Sequence, residues 1–466
     1  MTGLEQIKQV YFLGIGGIGM SALARWFHQA GFSVSGYDRT ESSLTRTLVA
    51  EGIDIHYEDL PGLVEKKLNV RETLVVCTPA VPAGLGELVW LKQNGFSVRK
   101  RSEVLGLICS RYHTCAVAGT HGKTTVSTML AHMLQSSGIG CTAFLGGISK
   151  NYGSNLLVSP SSPWAVAEAD EFDRSFLQLT PALAVITSMD ADHLDIYGNY
   201  RAVQEAFQAF ACRLKPEGSL VWKKGLPMNR ERLPIRRTYT YALKGPADFY
   251  AEGLRLENEA YCFDLRCPGV RIREVRMSYP GLHNVENAVA AASLAWLAGV
   301  KSEVIRRALA GYRGVKRRFD IRYRSRNFLL IDDYAHHPEE LKATIGAVRS
   351  MFPGRKVTGI FQPHLYSRTR DFAVEFAAQL SRLDRLLLLD IYPAREKPLP
   401  GISSALILEK VEHGQKQLVG KKELAEAVGR LNPGVILMMG AGDIENLVQP
   451  VSEQLKRMDE WIEFES

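Results

Sequence analysis

The sequence predicts an α/β protein of three domains, and three observations carry that expectation. Its 466 residues exceed what one hydrophobic core holds, at a rough prior of ~150 residues per domain. Strand-like apolar runs alternate with helical stretches, without internal repeats or low-complexity linkers, as in parallel sheets covered by helices on both faces. A fresh strand–loop–helix pattern starts near residue 111 and another near 312, which gives expected domains of 1–110, 111–313 and 314–466.

Residues 8–14 (KQVYFLG) read as a buried strand, 18–30 as a helix, and 32–38 (FSVSGYD) as a second strand ending in an acid. TLVVCTPAVP (73–82) is a strand stopped by its prolines, and FSVRKRSEVLGLIC follows it. HTCAVAG opens the middle domain, and the helix over 124–138 closes at Gly138. PWAVAEADE and PALAVITSMDADH are strands with acids at their ends. From about 215 to 280 apolar and polar residues alternate between turn signals, which predicts antiparallel hairpins. HNVENAVAAASLAWLAG (283–299) is again helical. The last domain holds four strand-like runs, NFLLIDD, KVTGIFQP, RLLLLDIYP and GVILMMGAGD, each entering a loop of charged or small residues. Ligands of open α/β sheets bind beyond the carboxyl ends of the strands, so the chemistry is expected in those loops.

Composition narrows the function classes. Apolar content of 46% and charged content of 23% are those of a soluble globular chain. The net charge of +7, from 57 basic and 50 acidic residues, is mild and scattered. Basic clusters at VRKR (98–101) and KRRFDIRYRSR (316–326) read first as solvated surface and next as pockets for phosphorylated small molecules. No basic run is interleaved with exposed aromatics, so no nucleic-acid partner is expected. The seven cysteines (77, 109, 115, 141, 212, 262, 267) include no C-x-x-C pair and suit buried free thiols in a reducing cytoplasm. VYFLGIGGIGMSALA (10–24) mimics a secretory signal, but its four glycines would disfavour a helical core. No apolar segment approaches the ~20 residues of a membrane span, so no membrane insertion is expected.

Four motifs carry chemistry. GIGGIG (14–19) satisfies G-x-G-x-x-G between a strand and a helix, where glycines let the backbone approach a pyrophosphate. Asp38, 24 residues after Gly14, could accept from a ribose, so NAD and any nucleotide diphosphate are both open, beside a purely structural tight turn. Gly119-Thr120-His121-Gly122-Lys123-Thr124-Thr125 resembles a P-loop, shortened because Val117 stands where the leading glycine belongs. Lys123 would neutralise β/γ-phosphate oxygens and the Thr124 hydroxyl would ligate Mg²⁺. Acids for that metal end the next two strands, at Glu168, Asp170 and Glu171, and at Asp190 and Asp192 with His193. DDYAHHP (332–338) and FQPHLYSRTRD (361–371) place histidines beside charged groups, with Arg368 and Arg370 suited to a carboxylate.

Together these motifs resemble the Mur ligases, and among them the alanine-adding branch. That family spells its central loop G-T-[NH]-G-K-[ST], as here. The resemblance runs in register through GIGGIGMSALA, GTHGKTT, EADEFD, DADHLDIYG, GLHNVENAVAA, RRFD, DDYAHHP, FQPHLYSRTRD, YPAREKPLPG and GAGD. It implies an N-terminal Rossmann-like domain binding a UDP-sugar, a central P-loop ATPase-like domain with added antiparallel strands, and a C-terminal Rossmann-like domain that closes over the site. The NAD reading falls accordingly. Gly14, Gly16, Gly17, Ile18, Gly19, Asp38 and Thr78 would bind the UDP-sugar. The loop 119–125, His283, Asn287, Arg318 and Asp333 would bind ATP. Thr124, Glu168 and His193 would surround Mg²⁺, and His336, His364 and Arg368 would hold the amino acid.

The implied reaction joins L-alanine to the carboxylate of UDP-N-acetylmuramate through an acyl phosphate, with ATP as co-substrate, in peptidoglycan precursor synthesis. Lys123 would stabilise phosphoryl transfer, and His193 or His336 would take the amine proton. A cytoplasmic location follows, and a homodimer is compatible. Three departures stand out. The neighbourhood YRAVQEAFQAF has Gln204 and Gln208 but lacks the lysine that many Mur ligases carbamylate, as the alanine-adding branch does. Ser188 replaces an asparagine common in relatives, and Leu365 stands where many alanine ligases have an arginine. A nicotinamide oxidoreductase would leave the P-loop idle, and a nucleotide-switch module would leave the sugar-nucleotide motifs unexplained. A ligase recycling a murein tripeptide would spell its C-terminal loop differently.

Overall fold

Residues 6–190, 194–394, 396–431 and 434–465 are described by the computed structural model, and their strands form three sheets. The first comprises β1 (Gln9–Leu13), β2 (Ser33–Tyr37), β3 (Asp54–His56), β4 (Thr73–Cys77) and β5 (Ser97–Lys100). They run parallel in the order β3-β2-β1-β4-β5. Successive side chains of a strand face opposite ways. Val10 and Phe12 therefore join one apolar cluster with Trp26 and Phe27 of helix Ile18–Gln29, while Tyr11, Leu13 and Val75 join another. Strand order reverses between β1 and β4, so the crevice at a switch point opens where Gly14 and Thr78 follow those strands.

The second sheet takes β6 (His113–Ala118), β7 (Thr142–Phe144), β8 (Leu156–Leu157), β9 (Trp164–Ala169), β10 (Leu183–Ile186), β11 (Ser219–Lys223), β12 (Arg237–Ala242), β13 (Phe249–Glu257), β14 (Ala260–Cys267) and β15 (Val270–Met277). Their order is β15-β14-β13-β12-β11-β10-β6-β9-β7-β8. β6 lies between β10 and β9, parallel to both, so its carboxyl end is flanked by theirs. The expectation of antiparallel hairpins over 215–280 needs correction. β11 and β12 extend the parallel sheet, because long connections rather than tight turns lead into them. Only β13 to β15 meander, through two-residue turns, the first with Asn258 and Glu259 both at positive φ (48° and 58°) as a primed turn requires.

The third sheet holds β16 (Asp320–Arg324), β17 (Leu329–Asp333), β18 (Val357–Phe361), β19 (Arg385–Leu388), β20 (Lys416–Leu418) and β21 (Val435–Met439), in the order β16-β17-β21-β18-β19-β20. Only β16 is antiparallel to its neighbour. Leu329, Ile331, Val357, Phe361, Leu437 and Met439 face one apolar layer, and Leu330, Ile360, Ile436 and Met438 face the other. Such period-two division of near-continuous apolar runs marks a sheet covered on both faces.

The chain forms two compact units: residues 1–255, 262–277 and 286–313, and residues 256–261, 278–285 and 314–466. Within the first, the first two sheets share one apolar core, from Val10 and Phe27 through Phe144 and Leu156 to Phe176 and Phe210. A polar clamp supplements it. Asn155, fully buried, donates to the Ile18 carbonyl (2.6 Å) and the Ser21 hydroxyl (2.9 Å) and accepts from Arg25, whose other nitrogens pair with Glu51 (2.7 and 2.8 Å). All seven cysteines are free thiols, and burial holds for five of them, whereas Cys212 is exposed and Cys77 half-buried. No helix among the described residues is long and apolar enough to cross a membrane.

Asn155→Ala leaves an Arg25 donor unpaired in the interior and removes one of the donors to the Ile18 carbonyl, which keeps the Ser21 hydroxyl. It should destabilise the first unit by about 2–3 kcal/mol in urea unfolding. An unchanged midpoint would show that the apolar core alone joins the two sheets.

Candidate active site

β6 is wholly apolar from Cys115 to Ala118 and stops at Gly119, where the chain turns into helix Lys123–Ser136. That helix buries Val126, Met129, Leu130, Met133 and Leu134, each worth about 1.5–3 kcal/mol, so its first turn is held fast. Two glycines shape the turn. Gly119 has φ 138°, and a Cβ there would stand 2.9 Å from the Ser188 nitrogen and 3.0 Å from that of Thr187. Gly122, at φ 85°, would bring a Cβ to 2.8 Å from the Asn287 carboxamide oxygen. Any side chain would thus be both strained and crowded.

Ser188 and Thr187 brace the loop from the end of β10. Ser188 Oγ accepts from the His121 N–H at 2.8 Å and lies 2.8 Å from the Thr120 hydroxyl. Thr187 Oγ1 donates to the carbonyls of Ala118 and His121. Asp190 accepts from Thr120 at 3.2 Å and lies 3.6 Å from His121 Nε2. Serine at 188 therefore acts on the loop itself, a role sequence reasoning missed. The signal was there, a hydroxyl pair ending the strand beside a P-loop.

Lys123 turns back along the loop. Its Nζ donates to the Gly119 carbonyl (2.7 Å) and to both oxygens of the buried Glu171 (2.7 and 3.0 Å). Burial alone would depress the ammonium, but Glu171, Asp170 and Glu168 outweigh it and hold the pKa above the ordinary lysine value. Glu168 lies one step away. It accepts from Thr124 Oγ1 (3.2 Å), Ser127 Oγ (3.1 Å) and the Gly146 N–H (2.6 Å). Burial pushes its carboxyl up, against the opposing pull of Gly146, Lys123 and Ser127. Among the described residues no three His, Cys, Asp or Glu side chains form a ready metal cage. A hydroxyl and a carboxylate beside a phosphate loop nevertheless fit Mg²⁺, a hard cation that takes few protein oxygens and keeps phosphate and water for the rest. His193, expected as a metal ligand and base, lies outside the described residues.

The glycine loop after β1 stands at the switch point of the first sheet. Helix Ile18–Gln29 starts at Gly17 without a side-chain cap, leaving its first N–H groups to an anion. Thr78 packs on Gly14, whose Cβ would stand 2.6 Å from the threonine methyl. Asp38 accepts from the Gly16 N–H at 2.7 Å, so it organises this loop. Asn287 lies against Gly122 in the first unit, while His283 belongs to the second, where burial and Arg318 push its imidazole down to about 4.

In the second unit the carboxyl ends of β17 and β18 gather the remaining predicted groups. Asp333 accepts from the backbone N–H of Phe319 (2.8 Å) and Ala335 (2.9 Å), and burial pushes its carboxyl up to about 6 despite Arg318. Arg318 lies 5.1 Å from the ring of Tyr334 and 3.8 Å from Glu340. His336 Nδ1 donates to the Tyr334 carbonyl at 2.9 Å, which leaves Nε2 as an acceptor. Burial lowers its pKa, Glu340 opposes that, and Arg368 reinforces it. The rings of His336 and His364 are 5.8 Å apart, and His364 stacks on Tyr392. Leu365, at φ 71°, precedes helix Tyr366–Leu380, held by its N–H to the Tyr392 carbonyl (2.9 Å). A bulky residue in that region is strained, and such strain gathers at functional loops. Glu396 was missed: it accepts from the Ser367 N–H at 2.9 Å at the start of that same helix.

Comparison with known proteins agrees with this geometry. Residues 9–113 match the family model described as Mur ligase family, catalytic domain; 117–295 match the Mur ligase middle domain; 317–442 match the Mur ligase glutamate ligase domain. The chain is 51% identical over 453 residues to the UDP-N-acetylmuramate–L-alanine ligase of Parabacteroides distasonis, covering 97% of this chain and 98% of that one. It is 48% identical to a Porphyromonas gingivalis protein of the same name, covering 97% and 100%. Among solved structures, the UDP-N-acetylmuramate–alanine ligase of Thermotoga maritima superposes with a TM-score of 0.82 at 27% identity, covering 97% and 99%. A murein peptide ligase of Psychrobacter arcticus shares the fold, with a TM-score of 0.71 at 21% identity over 96% and 98%. With all three models matched in order along one chain, and a phosphate loop, its acids and a glycine loop standing where those models fall, the chain belongs to the Mur ligase family.

Proposed function

We propose that this chain is the ATP-dependent ligase that joins L-alanine to the carboxylate of UDP-N-acetylmuramate, releasing ADP and phosphate, in peptidoglycan precursor synthesis. The observation that carries the reading is the loop after β6, where a lysine, a threonine hydroxyl and buried carboxylates converge. Near-complete coverage at 51% identity by an enzyme of that name supports the choice of amino acid. We place its domains at 1–110, 111–313 and 314–466 and its action in the cytoplasm, where a homodimer would leave the chemistry unaltered.

Phosphoryl transfer between two anions demands charge neutralisation more than a protein nucleophile. The loop 119–125 cradles the ATP phosphates, with Lys123 exchanging Glu171 for a phosphate oxygen. Thr124 and Glu168, with His193, would hold Mg²⁺, which supplies further neutralisation when bound. A sugar carboxylate oxygen attacks the γ-phosphorus while the bond to ADP breaks, giving an acyl phosphate. Gly14, Gly16, Gly17, Ile18, Gly19, Asp38 and Thr78 hold the UDP-sugar, and His283, Asn287, Arg318 and Asp333 complete the ATP site. Arg368 and His364 orient L-alanine by its carboxylate. Its amine attacks the acyl carbon, phosphate leaves, and His336 Nε2 takes the amine proton. The neutral imidazole favoured by burial suits that task.

The direct test follows phosphate release from Mg-ATP with UDP-N-acetylmuramate, adding L-alanine, L-serine, glycine or a murein tripeptide in turn. Release should require the sugar nucleotide and L-alanine together; ATP hydrolysis indifferent to both would overturn the assignment. Lys123→Ala should lower kcat by at least about 10²–10³-fold while UDP-N-acetylmuramate binding persists. Equal loss of both in folded protein would refute the division between the two loops. His336→Ala should slow amide formation by about 10²–10⁴-fold. Hydroxylamine, which needs no base, should still trap the acyl phosphate as a hydroxamate in that variant. If hydroxamate formation falls equally, His336 serves the phosphate step instead.

A further inference from the structure

One cation of the first unit stands where electrostatics disfavours it. Arg101 opens helix Arg101–Cys109, directly after β5, at the carboxyl end of the first sheet. Its guanidinium lies against the glycine loop: a Cβ on Gly19 would meet Arg101 Nη1 at 2.9 Å and Cδ at 3.2 Å. Gly19 sits in the first turn of helix Ile18–Gln29, whose uncapped N-terminus is already the positive pole. A cation there repels the helix dipole unless an anion comes between them.

Nor is Arg101 tightly neutralised. Neighbouring cations have close partners: Lys100 with Asp173 at 2.7 Å, Lys123 with Glu171 at 2.7 Å, and Arg25 with Glu51 at 2.7 Å. Among the described residues Arg101 pairs with Asp170 alone, at 3.6 Å, and both side chains remain partly exposed. A planar fork with several donors, aimed at a glycine-rich helix start and loosely tethered, is built for bidentate contact with phosphate oxygens.

We propose that Arg101 is a binding residue for the diphosphate of the sugar nucleotide, held ready by Asp170, which the diphosphate displaces. The proposal rests on the reading of the loop 14–19 as the UDP-sugar cradle. It names a group outside that loop, contributed by β5 and its helix, that closes the cradle over the phosphates. Asp170 neighbours Glu171, so the tether starts from the same acidic turn that neutralises Lys123.

Calorimetric titration of the full chain with UDP, UDP-N-acetylmuramate and a non-hydrolysable ATP analogue tests this. Arg101→Ala should weaken UDP and UDP-N-acetylmuramate by about 10- to 100-fold alike and leave the ATP analogue unchanged. Arg101→Lys, which keeps the charge without the fork, should fall between and serves if the alanine variant does not fold. Asp170→Asn removes the competitor and should tighten UDP by about two- to fivefold. Unaltered UDP affinity in Arg101→Ala overturns the proposal, as does weakening by Asp170→Asn, which would mark the pair as purely structural. Weakening of UDP-N-acetylmuramate but not UDP would move Arg101 to the sugar carboxylate and overturn the diphosphate assignment. A wild-type protein that binds the ATP analogue but neither uridine ligand overturns the sugar-nucleotide reading itself, and this proposal with it.

Discussion

A buried ammonium cannot stand unpaired, and the contact between Lys123 and Glu171 meets that constraint in this chain. The lysine must sit at the end of an apolar strand to meet a phosphate, and there it is desolvated. An unpaired charge so placed would lose its proton or unfold the turn. Glu171 supplies the countercharge from the loop after β9, and the Gly119 carbonyl takes another proton of the ammonium. The neighbouring β-strands follow from this need, because β9 and β10 flank β6 and deliver Glu171, Glu168, Ser188 and Asp190 to one place. In the proposed reaction an incoming phosphate would exchange one anion for another around the lysine, and the loop would not need to refold.

The rest of the site repeats that economy of preformed contacts. Ser188 and Thr187 tie the loop to β10 through four hydroxyl contacts, so the backbone amides are fixed before any ligand arrives. In the second unit Asp333 spends both carboxylate oxygens on backbone N–H groups and orders the segment that carries Arg318 and His336. Preorganisation of this kind keeps reorganisation out of the chemical step.

Much of this was legible in the residues. Buried parallel strands announce themselves as apolar runs ending in Gly or acids, and the loop and the acids after β9 that the sequence singled out do come together in the fold. What sequence could not distinguish was which acid does what. Glu168, Asp170 and Glu171 span one strand end, and only the alternation of the strand and the turn after it separates the partner of Thr124 from the partner of Lys123 and the tether of Arg101. Orientation was also misjudged at β11 and β12, which were grouped with the alternating stretch that follows them although they pair in parallel through crossovers. Asp38 illustrates a third limit: spacing alone did not show that its carboxylate also accepts from the Gly16 N–H and so helps shape the glycine loop.

The central claim is that Glu171 serves as a resident stand-in for phosphate on Lys123. Titrating Glu171→Gln with a non-hydrolysable ATP analogue, with thermal denaturation of the empty protein alongside, tests it most directly. Glutamine removes the carboxylate in contact with the ammonium and leaves only the more distant Asp170 and Glu168, so the empty variant should melt earlier while binding the analogue more tightly than wild type. Weaker binding at an unchanged melting temperature would contradict the account and make Glu171 a direct contributor to nucleotide binding.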